Sequence, residues 1–260
     1  YLDSAVDDDQ EYRGYDVLVD QFPDYAEAQS MTASGSLARQ HDYDDSFYAV
    51  HVSAGRTADE LAMLHDAGWE ITGETCTHYL CLTTEECDER HNVNPPVRSE
   101  ADQETLWSRV ADGTISCIGT DHCANLRDDK VGEDVPDSLP GFPSSATLLP
   151  LMLSEGVHEG RISLERAVEV TSTNTAKAFN IYPKKGSIQV GTDADIVIVD
   201  LDEMKTVTPE LLQSGADYSP YEGRDVTGWP THTVVRGQVA YENGEVVGER
   251  GHGTHIDRPI

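Results

Sequence analysis

The sequence predicts an α/β fold in which parallel strands alternate with helices, followed by a smaller β-rich segment. Three observations predict it. Short apolar runs at 47–52, 69–75 and 115–119 read as buried strands, and helical patterns lie between them, the order that crossover connections in a parallel sheet require. Two of these runs end in side chains suited to chemistry: His51 near the tip of the first, Asp121-His122 just past the third. The C-terminal ends of parallel strands are where α/β barrels keep their active residues. Finally, the pattern turns β-rich towards the C-terminus. Three strand–helix units are too few to close an eight-stranded barrel. Residues 1–182 are therefore expected to be the last part of such a barrel, and 183–260 a β-rich segment.

In chain order, residues 1–15 are acidic and weakly patterned, a loop or frayed end, and 25–40 reads as a helix after the breaker Pro23. Thr57 is placed to cap a helix over 58–67, with Glu60 completing a capping box and Gly68 ending it. Asn94-Pro-Pro reads as a rigid extended loop, since a residue before proline is held out of the helical region. Ser99 or Asp102 starts a helix that runs through Val110 and closes at Asp112-Gly113. After a polar loop over 124–143, helical segments are expected at 145–154, 164–169 and 173–179. In the tail, 186–190, 194–200, 232–236 and 238–241 read as strands, with Glu242-Asn-Gly-Glu245 as a hairpin turn.

The 260 residues suffice for one large α/β domain or a domain with a small satellite. A net charge of -30, from 48 acidic against 18 basic residues, excludes a nucleic-acid partner, because phosphate binding needs basic patches. The 38% apolar content, arranged in periodic runs, excludes a disordered acidic chain. The acid is spread along the sequence, which reads as a solvated, salt-adapted surface and places the protein in a halophile's cytoplasm. The five cysteines are odd in number and form no C-x-x-C pair, the pattern of reduced thiols rather than a disulfide framework or zinc ribbon. No apolar run reaches membrane-spanning length, no signal peptide is visible, and the chain begins at Tyr1, as a piece of a longer protein would.

Imidazole and carboxylate are both good ligands for a divalent ion. His51 is read either as such a ligand or as a buried histidine bonded to a backbone carbonyl. Asp121 needs a partner for its charge; it is a metal ligand or proton shuttle, or else a turn or helix-capping aspartate. His122 is the weaker candidate because neighbouring strand residues point to opposite faces. His78 reads as a structural or supporting group, and Cys76 and Cys123 as buried thiols. Asn94 and Arg98 could face a polar substrate or simply belong to a locked loop.

In combination, Val50-His-Val-Ser53, Gly73-Glu-Thr-Cys-Thr-His-Tyr-Leu80, Asn94-Pro-Pro-Val-Arg98, Gly119-Thr-Asp-His-Cys123 and Tyr218-Ser-Pro-Tyr-Glu-Gly223 resemble the cyclic amidohydrolases. The resemblance is closest to the dihydropyrimidinase and hydantoinase branch, with dihydroorotase and allantoinase as relatives. It implies a TIM barrel with two metal ions, usually zinc, beside a small β-sandwich built from both chain ends. It implies that His51 is a metal ligand and that Asp121 is both metal ligand and general base. Asn94 and Asp137 match positions whose backbone binds the ring amide of a small cyclic amide substrate. Asn94 stands where Ser is common, and Ser138 follows Asp137 where the family pattern has Asn-Gly. The family's His-x-His pair, carboxylated lysine and remaining barrel histidine are expected before His51. Here the first histidine is His41 and the first lysine Lys130, so two of the metal-site residues are present. The resemblance further implies a homo-oligomer, dimer or tetramer, without membrane or nucleic acid. A dihydroorotase or allantoinase, or a non-catalytic assembly protein of the same fold, are the alternatives.

The charge makes a direct prediction. The Debye length shrinks from about 10 Å at 0.1 M salt to about 3 Å at 1 M, so salt relieves carboxylate repulsion. The melting temperature should be higher in about 2 M than in about 0.1 M potassium chloride; an unchanged midpoint would remove the salt-adapted reading.

Overall fold

The computed structural model describes residues 14–41 and 47–258. Strands β1 (Phe47–Ala49), β2 (Ile71–Cys76) and β3 (Ile115–Gly119) form a parallel sheet in that order. Helix α3 (Gly55–Asp66) crosses from β1 to β2; α4 (Thr77–Cys81) and α5 (Glu100–Asp112) lie between β2 and β3. Helices α1 (Asp16–Gln21) and α2 (Asp24–Gln40) precede them. The α/β class and all three predicted parallel strands are present. Among the described residues, no strand pairs with the free side of β1 or of β3, and no helix is long and apolar enough to cross a membrane.

The crossover helices follow from helical spacing of apolar side chains. Ala58, Leu61 and Leu64 of α3 are buried, and Leu61 fits over Gly73 of β2, where a Cβ would collide with it. On α5 the buried stripe is Leu106, Trp107 and Val110, and the Trp107 indole donates to the Leu80 carbonyl at 2.8 Å. Ser99 caps α5, its hydroxyl accepting from the Asp102 amide, and Gly113 ends the helix in the left-handed region at φ 100.

The start of α3 departs from the capping-box expectation. The helix begins at Gly55, two residues before Thr57, which is buried with its hydroxyl lacking a partner. Carboxylates from elsewhere serve the helix entrance instead. Glu27 of α2 accepts the amides of Ser53 and Ala54 at 2.9 and 3.2 Å, and Asp102 of α5 accepts that of Gly55 at 2.9 Å. A helix that starts inside the fold takes its acceptors from neighbouring elements, which local spacing cannot show. Glu60 meets Thr32 of α2 rather than its own helix end.

Other boundaries move as well. The reading of 1–15 falls outside the described residues except at its end, where Tyr15 is buried, donating to the His91 carbonyl at 3.1 Å and accepting the Val97 amide at 2.9 Å. Trp69 is not in the strand; its amide closes the end of α3 on the Leu64 carbonyl. After α6 (Arg127–Lys130), the helical stretch from α7 (Leu148–Leu151) continues through a wide π-type turn to His158. The expected segments 164–169 and 173–179 are joined: α8 (Leu164–Val168) passes through a second wide turn into α9 (Asn174–Ala178).

The tail is an antiparallel sheet of β4 (Ile196–Thr206), β5 (Asp225–Val235), β6 (Gln238–Glu242) and β7 (Glu245–Val246). Segment 186–190 is not a strand: it has no pairing partner, and Ile188 and Val190 are exposed. Strand β5 is longer than expected because it runs through Gly228 and Pro230. Gly228, at φ 98, sits on Leu153, and register shifts in β4–β5 absorb the irregularity. Asn243 and Gly244, at φ 48 and 99, make the predicted turn between β6 and β7. Arg224 ties this sheet to the parallel part, donating to the Cys81 carbonyl at 2.6 Å and to Glu86 at 3.1 Å.

The capping arrangement predicts unequal effects. Asp102→Ala should destabilise the chain by about 1–2 kcal/mol, the range for a lost helix cap. Thr57→Val should be neutral or slightly stabilising, because it removes an unpartnered buried hydroxyl. Equilibrium denaturation of the two variants measures this, and the reverse ranking would restore Thr57 as the cap.

Candidate functional site

The C-terminal edge of the parallel sheet is where the backbone becomes unusual. His51, two residues past β1, has φ 42, and Asp121, two past β3, has φ 45. Such values are uncommon for residues other than glycine and are disfavoured by roughly 1 kcal/mol or more. The other non-glycine cases among the described residues follow helical turns (Asn180, Gln213) or lie in hairpin turns (Arg236, Asn243). Only His51 and Asp121 lie at parallel strand tips. The His51 kink is brief: the Val52 amide returns to the ladder, donating to the Glu74 carbonyl at 2.8 Å. His51 is half-buried and Asp121 exposed.

Between the two tips stand β2 and the short helix α4 that leaves its end. The Glu74 carboxylate accepts the Tyr48 hydroxyl at 2.8 Å and the His51 amide at 3.4 Å. Burial, reinforced by the carboxylates of Glu74 and Asp121, pushes the Cys76 thiol well up, so it stays protonated, a structural thiol as expected. His78 is fully buried, with neither ring nitrogen bonded, and stacks edge-on to Phe142 with centroids 5.0 Å apart. Burial first, and the nearby His51 second, lower its pKa to about 3. It is a neutral supporting ring. His122 is also committed locally: its Nδ1 accepts the amides of Ser144 and Ser145 at 3.0 and 3.2 Å.

Asn94 and Asp137, the expected substrate contacts, are both exposed and sit on separate loops. The structure joins those loops beneath the surface. Lys130, fully buried, donates to the Asn92 carbonyl at 2.6 Å and to the Leu139 carbonyl. The Asn92 amide group donates to the carbonyls of Val135 at 3.0 Å and Ser138 at 2.6 Å. Desolvation pulls the Lys130 pKa down to about 8. Arg98 is taken up elsewhere: it bonds Ser53 at 2.9 Å and Glu27 at 3.3 Å, which makes it a brace of the α3 entrance rather than a free substrate contact. Sequence reasoning missed Glu27, Glu74, Asn92 and Lys130. The one available signal was that Lys130 is the first lysine of an acidic chain.

His51 and Asp121 supply an imidazole and a carboxylate from one sheet edge, donors that fit a divalent ion. Among the described residues no group of three or more such side chains converges.

The buried His78 makes a pH prediction. Between its folded pKa of about 3 and its ordinary value of 6.5 the unfolded chain binds the extra proton. Stability therefore falls as pH drops through that window, by up to about 1.4 kcal/mol per unit. Denaturation at about pH 7 and about pH 5 should show His78→Leu gaining relative to the wild type in acid. Parallel pH profiles would count against a neutral buried ring.

The amidohydrolase family model matches residues 36–240. The L-hydantoinase of Paenarthrobacter aurescens is 40% identical over 217 residues, which cover 80% of this chain and 47% of the relative. A D-hydantoinase of Ralstonia pickettii is 34% identical over 223 residues, 81% of this chain and 48% of the relative. The crystal structure of dihydropyrimidinase from Brevibacillus agri superposes with a TM-score of 0.88 at 32% identity, covering 95% of this chain and 55% of that one. The chain thus spans about half the length of the relatives it matches. A family match over most of the sequence, together with strand-tip histidine and aspartate on a parallel sheet, places this chain in the amidohydrolase family.

Proposed function

We propose that the protein to which this chain belongs hydrolyses a cyclic amide, a hydantoin or dihydropyrimidine ring, opening it to an N-carbamoyl amino acid. The observation that carries the proposal is the pair His51 and Asp121, each held in a left-handed backbone at the same edge of the parallel sheet. Similarity to hydantoinases of both stereochemical names supports it.

The amidohydrolase family is generally metal-dependent. When bound, the ions, zinc in this reading, would polarise the ring carbonyl and lower the pKa of water. His51 would hold metal through its imidazole. Asp121 would hold metal, accept the proton of the attacking water and return it to the leaving ring nitrogen. The backbones of Asn94 and Asp137 would orient the ring amide, and the Lys130–Asn92 brace would keep those two loops in register. The remaining metal donors, and the strands that would pair with the free sides of β1 and β3, would come from outside the residues described.

The same reading extends to the wider architecture. The division near residue 182, the completion of the second sheet into a sandwich, and a homo-oligomer are proposals drawn from the resemblance. Exposed Val197, Ile198 and Met204 on β4 support the sandwich. Five free cysteines support a reducing compartment, and the acidic surface a salt-rich cytoplasm.

In the intact protein, Asp121→Asn should lower turnover of dihydrouracil or hydantoin by about 10²–10⁴-fold, the share of a general base. His51→Ala should reduce bound metal. The 260-residue chain alone should bind divalent metal weakly and turn over negligibly, since two donors leave most of the coordination sphere to water. Two tightly held ions per such chain with robust turnover would contradict this account, and so would full activity in Asp121→Asn.

A further inference from the structure

Glu74 reaches all three parallel strands. It belongs to β2, and its carboxylate takes the Tyr48 hydroxyl of β1 at 2.8 Å and the amide of His51, just past β1, at 3.4 Å. On the other side it lies against Gly119, the last residue of β3. A Cβ on Gly119 would stand 2.6 to 2.8 Å from the carboxylate carbon and both its oxygens. Gly73, its neighbour, faces Leu61 of α3, and Glu74 points to the other side of the sheet, where Tyr48 packs on Phe179 just past α9. The β2–β3 register shifts between Gly73 and Glu74, the kind of irregularity that re-aims a side chain.

The surroundings make this carboxylate unusual. It is only partly exposed, and among the described residues no lysine or arginine pairs with it. Its partners are a phenol and a backbone amide. Burial, and after it the Glu74 acceptor, push the Tyr48 hydroxyl far above its ordinary range, so Tyr48 remains a donor. A half-buried anion without a cation is unfavourable unless another charge balances it. The amide it accepts belongs to the residue whose left-handed backbone aims the strand-tip imidazole.

We propose that Glu74 is a positioning residue for His51: its carboxylate holds the left-handed backbone that presents the imidazole, and its negative charge would favour a divalent cation bound by that imidazole. The inference rests on the proposed function, in which His51 binds metal. Gly119 is part of the device, because a larger residue there would displace the carboxylate.

Cobalt(II) titrated into the protein, followed through the His51 ring resonances by nuclear magnetic resonance, tests this without using turnover. Glu74→Ala should weaken cobalt affinity by about tenfold, the lower range for losing a group that orients a metal ligand. Glu74→Gln, which keeps an acceptor for the His51 amide, should recover part of it, and Gly119→Ala should weaken affinity as Glu74→Ala does. Circular dichroism selects variants with wild-type helix content; Gly119→Ala and Glu74→Gln carry the test if Glu74→Ala does not fold. Unchanged affinity in folded Glu74→Ala or Gly119→Ala, with His51→Ala still weakened, overturns the positioning role alone. Unchanged affinity in His51→Ala overturns the metal-site reading and this inference with it.

Discussion

Backbone groups released where the parallel strands end must find partners, and the rest of the structure is arranged around that requirement. Unpaired buried amides and carbonyls are too costly to leave. At the tip of β1 the carboxylates of Glu27, Glu74 and Asp102 collect the amides of His51, Ser53, Ala54 and Gly55. Each comes from a different element, so satisfying one short stretch of backbone fixes α2, β2 and α5 around it. Arg98 completes the arrangement by balancing Glu27 while bonding Ser53.

The same logic appears with opposite sign on the far side of the sheet edge. There the groups in need are carbonyls, those of Asn92, Val135, Ser138 and Leu139, and the donors are the buried ammonium of Lys130 and the side-chain amide of Asn92. A charge with no carboxylate partner is tolerable inside because carbonyl dipoles solvate it, though burial still pulls its pKa down. The polar stretch after β3 is therefore held down at its base while Asp137 stays exposed at its surface.

Much of the fold was legible in local pattern. The three parallel strands, α5 with its Ser99 cap and Gly113 stop, and the Asn243-Gly244 turn all follow from short-range spacing, and each is where the sequence places it within a few residues. The errors share one cause. Thr57 had good capping spacing, yet the helix start lies inside the molecule and takes acceptors from α2 and α5. Segment 186–190 had strand composition but no strand to pair with. The local pattern placed a strand only at 232–236, yet β5 begins at Asp225 and runs through Gly228 and Pro230, where the pairing with β4 shifts register. Arg98 looked available to a substrate and is committed to Glu27.

The sequence by itself determined which residues stand at the strand tips, because apolar runs bounded by polar residues fix where a buried strand must end. That was enough to single out His51 and Asp121, and the motif combination was enough to name the family. Only the tertiary structure decided the conformation of those tips and what holds them. The left-handed backbones at both residues, the Glu74 carboxylate lodged over Gly119, and the Lys130 brace under the loops of Asn94 and Asp137 all depend on groups distant in sequence. Such pairings are set by which elements the sheet brings side by side, and the spacing of residues along one strand or one loop holds no record of its neighbour.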